Sequence, residues 1–119
     1  MHTLDSPETY SSLDSTGLRE RLRDMPRWCD LAWRQVRAFS LPQDWARSNK
    51  VVIAGMGGSA IAGDLVADLA SLQATIPIWV VRDFQFPFAL DEHSLVIVCS
   101  YSGNTAETLS LFHQALKAG

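Results

Sequence analysis

From Leu18 onward the apolar positions Leu18, Leu22, Met25, Cys29, Ala32, Val36 and Phe39 alternate spacings of four and three, the repeat of one helix face. Asp14 or Ser15 stands where it can cap the start. Pro26 interrupts the pattern, so the spacing predicts either a kink or a fresh helix beginning there. Leu41, Pro42 and Asp44 then mark a loop. Val51-Val52-Ile53-Ala54 is a short β-branched run ended by glycine, as expected of a strand buried on both faces. Ile61, Leu65, Leu69 and Leu72 return to helical spacing. Ile78-Trp79-Val80-Val81 and Leu95-Val96-Ile97-Val98-Cys99 read as two further buried strands. A last helix from Asn104 to about Ala118 is expected to bury Leu109, Phe112 and Leu116, with Gly119 as its terminator.

Strands that alternate with helices imply parallel pairing, because parallel neighbours need crossovers and those crossovers cover the sheet faces. The expected architecture is therefore α/β, a parallel sheet with helices on both faces, preceded by an N-terminal helical segment. Residues 1–13 are polar, contain Pro7 and show no period, so they read as an irregular lead-in. Residues 14–48 form the helical segment, and the sheet-bearing part runs over 49–119. The stretch Arg82–His93 joins the second and third strands. Phe84, Phe86, Pro87, Phe88 and Leu90 make it too apolar for a free loop, and a short helical turn is expected within it.

Composition adds limits rather than a function. With 119 residues, 47% hydrophobic and 19% charged, the chain has the makings of one core. Residues 1–50 carry eight basic and seven acidic side chains, whereas 51–119 carry only Arg82 and Lys117 against six acids. No basic field is available for general nucleic-acid binding. Cys29 and Cys99 are far apart and lack metal spacing, so they read as buried free thiols of a reducing compartment. Trp28, Trp33, Trp45 and Trp79 are expected to fill core and interface. The start lacks the pattern of a signal peptide and no apolar run has membrane-spanning length. A cytoplasmic protein without membrane contact is expected.

Candidate chemistry lies in two loops, each after a strand and before a helix: Gly55-Met56-Gly57-Gly58-Ser59-Ala60 and Ser100-Tyr101-Ser102-Gly103-Asn104-Thr105. In a parallel sheet both emerge at the carboxyl edge, where ligands bind. A glycine turn leading into a helix offers unpaired N–H groups and a partial positive charge, so it accepts phosphate without lysine. Ser59, Ser100, Ser102 and Thr105 add hydroxyl donors. Against this stands a plainer reading, in which the glycines only make tight turns, Gly63 is a close helix–sheet contact, and Asn104 with Glu107 forms a helix cap with its reciprocal carboxylate. His93 and His113 are isolated. A further alternative is a dinucleotide site, since Gly55-x-Gly57-x-x-Ala60 fits that fingerprint and Asp83 ends the second strand. It leaves the loop Ser100–Thr105 unexplained.

Gly55-Met56-Gly57-Gly58-Ser59 with Gly63-Asp64, followed by Ser100-Tyr101-Ser102-Gly103-Asn104-Thr105-x-Glu107-Thr108, resembles the sugar isomerase (SIS) domain. Within that group the chain is most similar to the N-terminal part of the bifunctional phosphoglucose/phosphomannose isomerases. The resemblance implies a flavodoxin-like three-layer SIS fold, here incomplete at 49–119. It implies homodimers of a longer chain that interconvert fructose 6-phosphate with glucose 6-phosphate or mannose 6-phosphate through an enediol, with no metal and no cofactor. Ser100, Ser102 and Thr105, with Gly103 and Asn104, would hold the phosphate, and Gly57, Gly58 and Ser59 would line the sugar. The family's arginine, glutamate, histidine and lysine of catalysis would lie beyond Gly119, leaving no catalytic position in this chain. A non-catalytic sugar-phosphate sensor is the other role that SIS domains fill, and it stays open at this point.

Overall fold

The computed structural model describes residues 6–73 and 76–119. The chain divides after Leu41 into two units. In the first, Pro7–Leu13 forms a short helix α1 where an irregular lead-in was expected, with proline at the start of the first turn; that position suits proline because its missing N–H has no helical partner anyway. Residues 1–5 of that expectation lie outside the described residues. Helix α2 spans Leu18–Ala38 without interruption, Pro26 included. Its start is held by Asp14, whose carboxylate accepts the Leu18 and Arg19 N–H groups at 2.7 and 2.8 Å. Those two bonds, the Arg19 one first, hold the Asp14 carboxyl below the usual carboxylate range. Ion pairs one turn apart, Arg23 with Glu20 and Arg34 with Asp30, run along its surface. Neither helix contains a buried residue, so Cys29, Trp28 and Trp33 are exposed and the expectation of a buried thiol and core tryptophans fails there.

The second unit opens with a 3-10 turn over Gln43–Arg47. Strands β1 (Lys50–Gly55), β2 (Ile78–Val81) and β3 (Ser94–Cys99) follow, with helix α3 (Gly58–Ser71) after β1 and helix α4 (Ala106–Ala118) after β3. The sheet has the order β2-β1-β3 and is parallel throughout, with Ile53 beside Val80 and Ile97. The β-branched run Val51-Val52-Ile53-Ala54 takes the centre, and Val52 and Ala54 are fully buried. Alternate residues of β1 serve opposite layers. Ile53 faces α3, where a Cβ added to Gly63 would lie 2.9 Å from its Cγ2. Val52, Ala54 and Val81 join Leu111 of α4, and Phe86, Phe88, Leu90, Val96 and Val98 pack against that cluster.

Helical spacing located α3 and α4 but not their buried faces. Ile61, Leu65, Leu69 and Leu72 are exposed, while Ala60 and Gly63 meet the sheet. On α4 the buried pair is Thr108 and Leu111, with Phe112 and Leu116 exposed. Small residues win on α3 because they let the helix axis approach the sheet closely. The connection from Arg82 to His93 holds no helical turn. It is pinned instead by the Phe84 carbonyl, which accepts from Ser110 Oγ at 2.8 Å and Gln114 Nε2 at 2.6 Å. Cys99 is half-buried, and Trp45 and Trp79 are exposed. Among the described residues no helix is long and apolar enough to cross a membrane.

Candidate functional site

Because β1 and β3 are parallel neighbours, with Gly55 opposite Cys99 in register, the two loops leave the sheet side by side. The first turns at Gly57, whose φ of 52° and ψ of −129° suit a residue without a Cβ. Ser59 N–H donates to the Met56 carbonyl at 3.1 Å and Ala60 N–H to the Gly57 carbonyl at 3.1 Å, which closes the turn into α3. Gly57 and Gly58 are exposed, and a Cβ at either would meet nothing within 4 Å. The surface beside them is open to an approaching group.

The second loop is organised by its own hydroxyls. Ser100 Oγ accepts the Gly103 N–H at 3.0 Å and Ser102 Oγ accepts the Asn104 N–H at 3.2 Å, around a left-handed Gly103. Ser102 Oγ and Thr105 Oγ1 lie 3.3 Å apart, one hydroxyl donating to the other. An oxygen that accepts a backbone N–H still has its own proton to give. The Ser100 proton, and one of the Ser102 and Thr105 protons, are therefore uncommitted. Directly below, the first turn of α4 presents N–H groups that have no helical acceptor.

One contact ties the loops together: Tyr101 N–H donates to Ser59 Oγ at 3.4 Å, across 42 positions of sequence. The structure thus brings Ser59 to the second loop, along with Ser100, Ser102, Gly103, Asn104 and Thr105, and sets Gly57 and Gly58 on the adjoining turn. Helix α4 begins at Ala106, with Thr105 as N-cap and no side-chain cap bond. The expected Asn104–Glu107 capping pair is therefore not formed, because the Asn104 N–H is spent on the Ser102 turn. His113 is engaged with the Leu109 carbonyl at 2.9 Å. Sequence reading missed two partners. Arg82, at the carboxyl end of β2, pairs with Asp64 of α3, and Asp83 accepts the Phe84 N–H at 2.6 Å. Only the parallel register of β1 and β2 places residues 64 and 82 together.

Six curated proteins are similar to the chain, all named bifunctional phosphoglucose/phosphomannose isomerase. The protein from Caldicellulosiruptor bescii is 48% identical over 100 residues, which is 84% of this chain and 30% of that relative. The one from Aquifex aeolicus is 43% identical over 88 residues, 73% of this chain and 28% of the relative. The one from Thermoplasma acidophilum is 44% identical over 71 residues, 60% and 22% respectively. By sequence the chain is similar to one segment of the bifunctional phosphoglucose/phosphomannose isomerases. It spans less than a third of the length of these three relatives. No protein-family model matches it, and no solved structure does. The parallel α/β sheet agrees with the fold that the resemblance of the two motifs implies.

Proposed function

We propose that this chain is the sugar-phosphate-binding part of an aldose–ketose isomerase that interconverts fructose 6-phosphate with glucose 6-phosphate or mannose 6-phosphate. The observation that carries the reading is the hydroxyl arrangement of the second loop, in which Ser100 and Ser102 accept loop N–H groups and so keep hydroxyl donor capacity in the loop. Phosphate oxygens take those protons and the free N–H groups of the α4 first turn, a geometry that favours an anion at a helix start. The sugar then extends over Gly57, Gly58 and Ser59, one strand away. Strand spacing of about 4.8 Å is within the reach of a phosphohexose. Ring opening and proton transfer between C1 and C2 through the enediol fall to the remaining length of the full enzyme, with this segment fixing the phosphate end.

Calorimetric titration of the chain with fructose 6-phosphate tests the reading. Ser102→Ala is expected to weaken binding by about 1–2 kcal/mol, the scale of a hydrogen bond to a charged group. Unchanged affinity would remove Ser102 from the site. Tighter binding of NAD or NADP than of fructose 6-phosphate would favour the dinucleotide alternative.

A further inference from the structure

Thr108 is the third residue of α4, 2% exposed, and its Oγ1 has no hydrogen-bond partner. A buried hydroxyl without a partner is unfavourable, since it gives up water and gains nothing. Its position explains what it is for. With Thr105 as N-cap, Thr108 is the residue whose side chain, in a capping box, reaches back to the N-cap backbone N–H. Both halves of that box are open here: Thr105 makes no side-chain cap bond and Thr108 Oγ1 accepts nothing. Thr105 Oγ1 is instead turned to Ser102, on the ligand side of the loop.

We infer that Thr108 is a positioning residue for Thr105: when a phosphate seats on the loop, Thr108 Oγ1 accepts the Thr105 N–H, and this fixes the Thr105 backbone so that its own hydroxyl points at the anion. The inference rests on the sugar-phosphate reading above. It assigns Thr108 no contact with the ligand. The unmatched hydroxyl of the ligand-free chain is the group that binding satisfies, so part of the affinity resides beneath the loop.

The test measures amide exchange of Thr105 with and without inorganic phosphate, fructose 6-phosphate affinity by calorimetry, and melting temperature without ligand. In the parent chain phosphate slows Thr105 exchange. Thr108→Val, which keeps the shape and removes the hydroxyl, abolishes that slowing and weakens binding about three- to tenfold, while the ligand-free melting temperature stays level or rises. Thr108→Ser restores both responses. A Thr108→Val chain that melts lower yet binds as tightly as the parent would make Thr108 a structural residue and overturn the inference. Should Thr108→Val fail to fold, the parent exchange and Thr108→Ser decide: unslowed Thr105 exchange in a parent that binds refutes it. A parent that binds no sugar phosphate refutes the function proposed above, and this inference with it.

Discussion

Gly55→Ala perturbs the hinge between the two loops. Gly55 ends β1 opposite Cys99, and a Cβ placed on it would lie 2.9 Å from the Cys99 carbonyl oxygen, with Ala60 N and Cys99 Cβ at 3.5 Å. Carbon and oxygen come no closer than about 3.3 Å even in favourable C–H···O contacts, so the strands must part by about 0.4 Å. The obstacle is backbone, held by the β1–β3 ladder, and cannot rotate away. Overpacking of this kind costs about 1–3 kcal/mol, and the lower chain entropy of alanine returns about 0.4–1 kcal/mol. The clash wins by about 1–2 kcal/mol, or roughly 4–8 °C in melting temperature for a domain of this size. Parting the strands also lengthens the Tyr101–Ser59 bond, already 3.4 Å, beyond hydrogen-bond range. Thermal unfolding followed by circular dichroism, with fructose 6-phosphate titration alongside, reads both effects. A Gly55→Ala chain that melts at or above the parent temperature would show that the strand ends yield freely, and the reasoning from close approach would be wrong.

Gly58→Ala should separate stability from binding: with nothing within 4 Å of the new Cβ and a helix start around it, the melting temperature holds or rises by the equivalent of up to about 1 kcal/mol, while calorimetry shows weaker sugar-phosphate binding. Asp91 accepts Ser94 Oγ at 2.7 Å and Lys50 Nζ at 3.0 Å, and the Ser94 bond first, then Lys50, hold its carboxyl below the usual range. A depressed folded value means that the stabilisation is complete above the ordinary carboxylate pKa of about 4 and is lost as pH falls through the folded value; Asp91→Asn should therefore be less stable than the parent at neutral pH, with the gap closing in urea titrations as the pH is lowered beneath the ordinary carboxylate range.

How much of this was legible follows from where each signal resides. The strands were readable because β1, β2 and β3 are short apolar runs bounded by turns, and their parallel pairing followed from the helices between them. Both loops were readable for the same reason: a glycine or serine cluster between strand and helix is local information. Burial was not local. Leu65 and Leu69 look like core and are exposed, whereas Gly63 and Ala60 meet the sheet, because closeness of approach rather than hydrophobicity selected that face. The α4 N-cap was misplaced by one residue for a chemical reason. Asparagine is among the best N-caps, but Ser102 Oγ captures the Asn104 N–H, the chain turns once more at Gly103, and the cap passes to Thr105.

That one-residue delay bears on how an acidic half-chain would hold the proposed phosphate. Its cation nearest the carboxyl edge, Arg82, is engaged by Asp64, and six acids face two bases over residues 51–119. A carboxylate about 10 Å from a phosphate dianion repels it by only about 0.8 kcal/mol in water, before salt screens it further. Each hydrogen bond to a charged group contributes about 1.5–3 kcal/mol. Two or three donors at fixed positions therefore outweigh the whole unfavourable field. Had Asn104 capped α4, the Glu107 carboxylate would have reached back to the Asn104 N–H and set a negative charge beside the loop. With the cap at Thr105, and with Ser100 and Ser102 accepting backbone N–H groups, the proposed site would draw its attraction from placed donors where net charge supplies none.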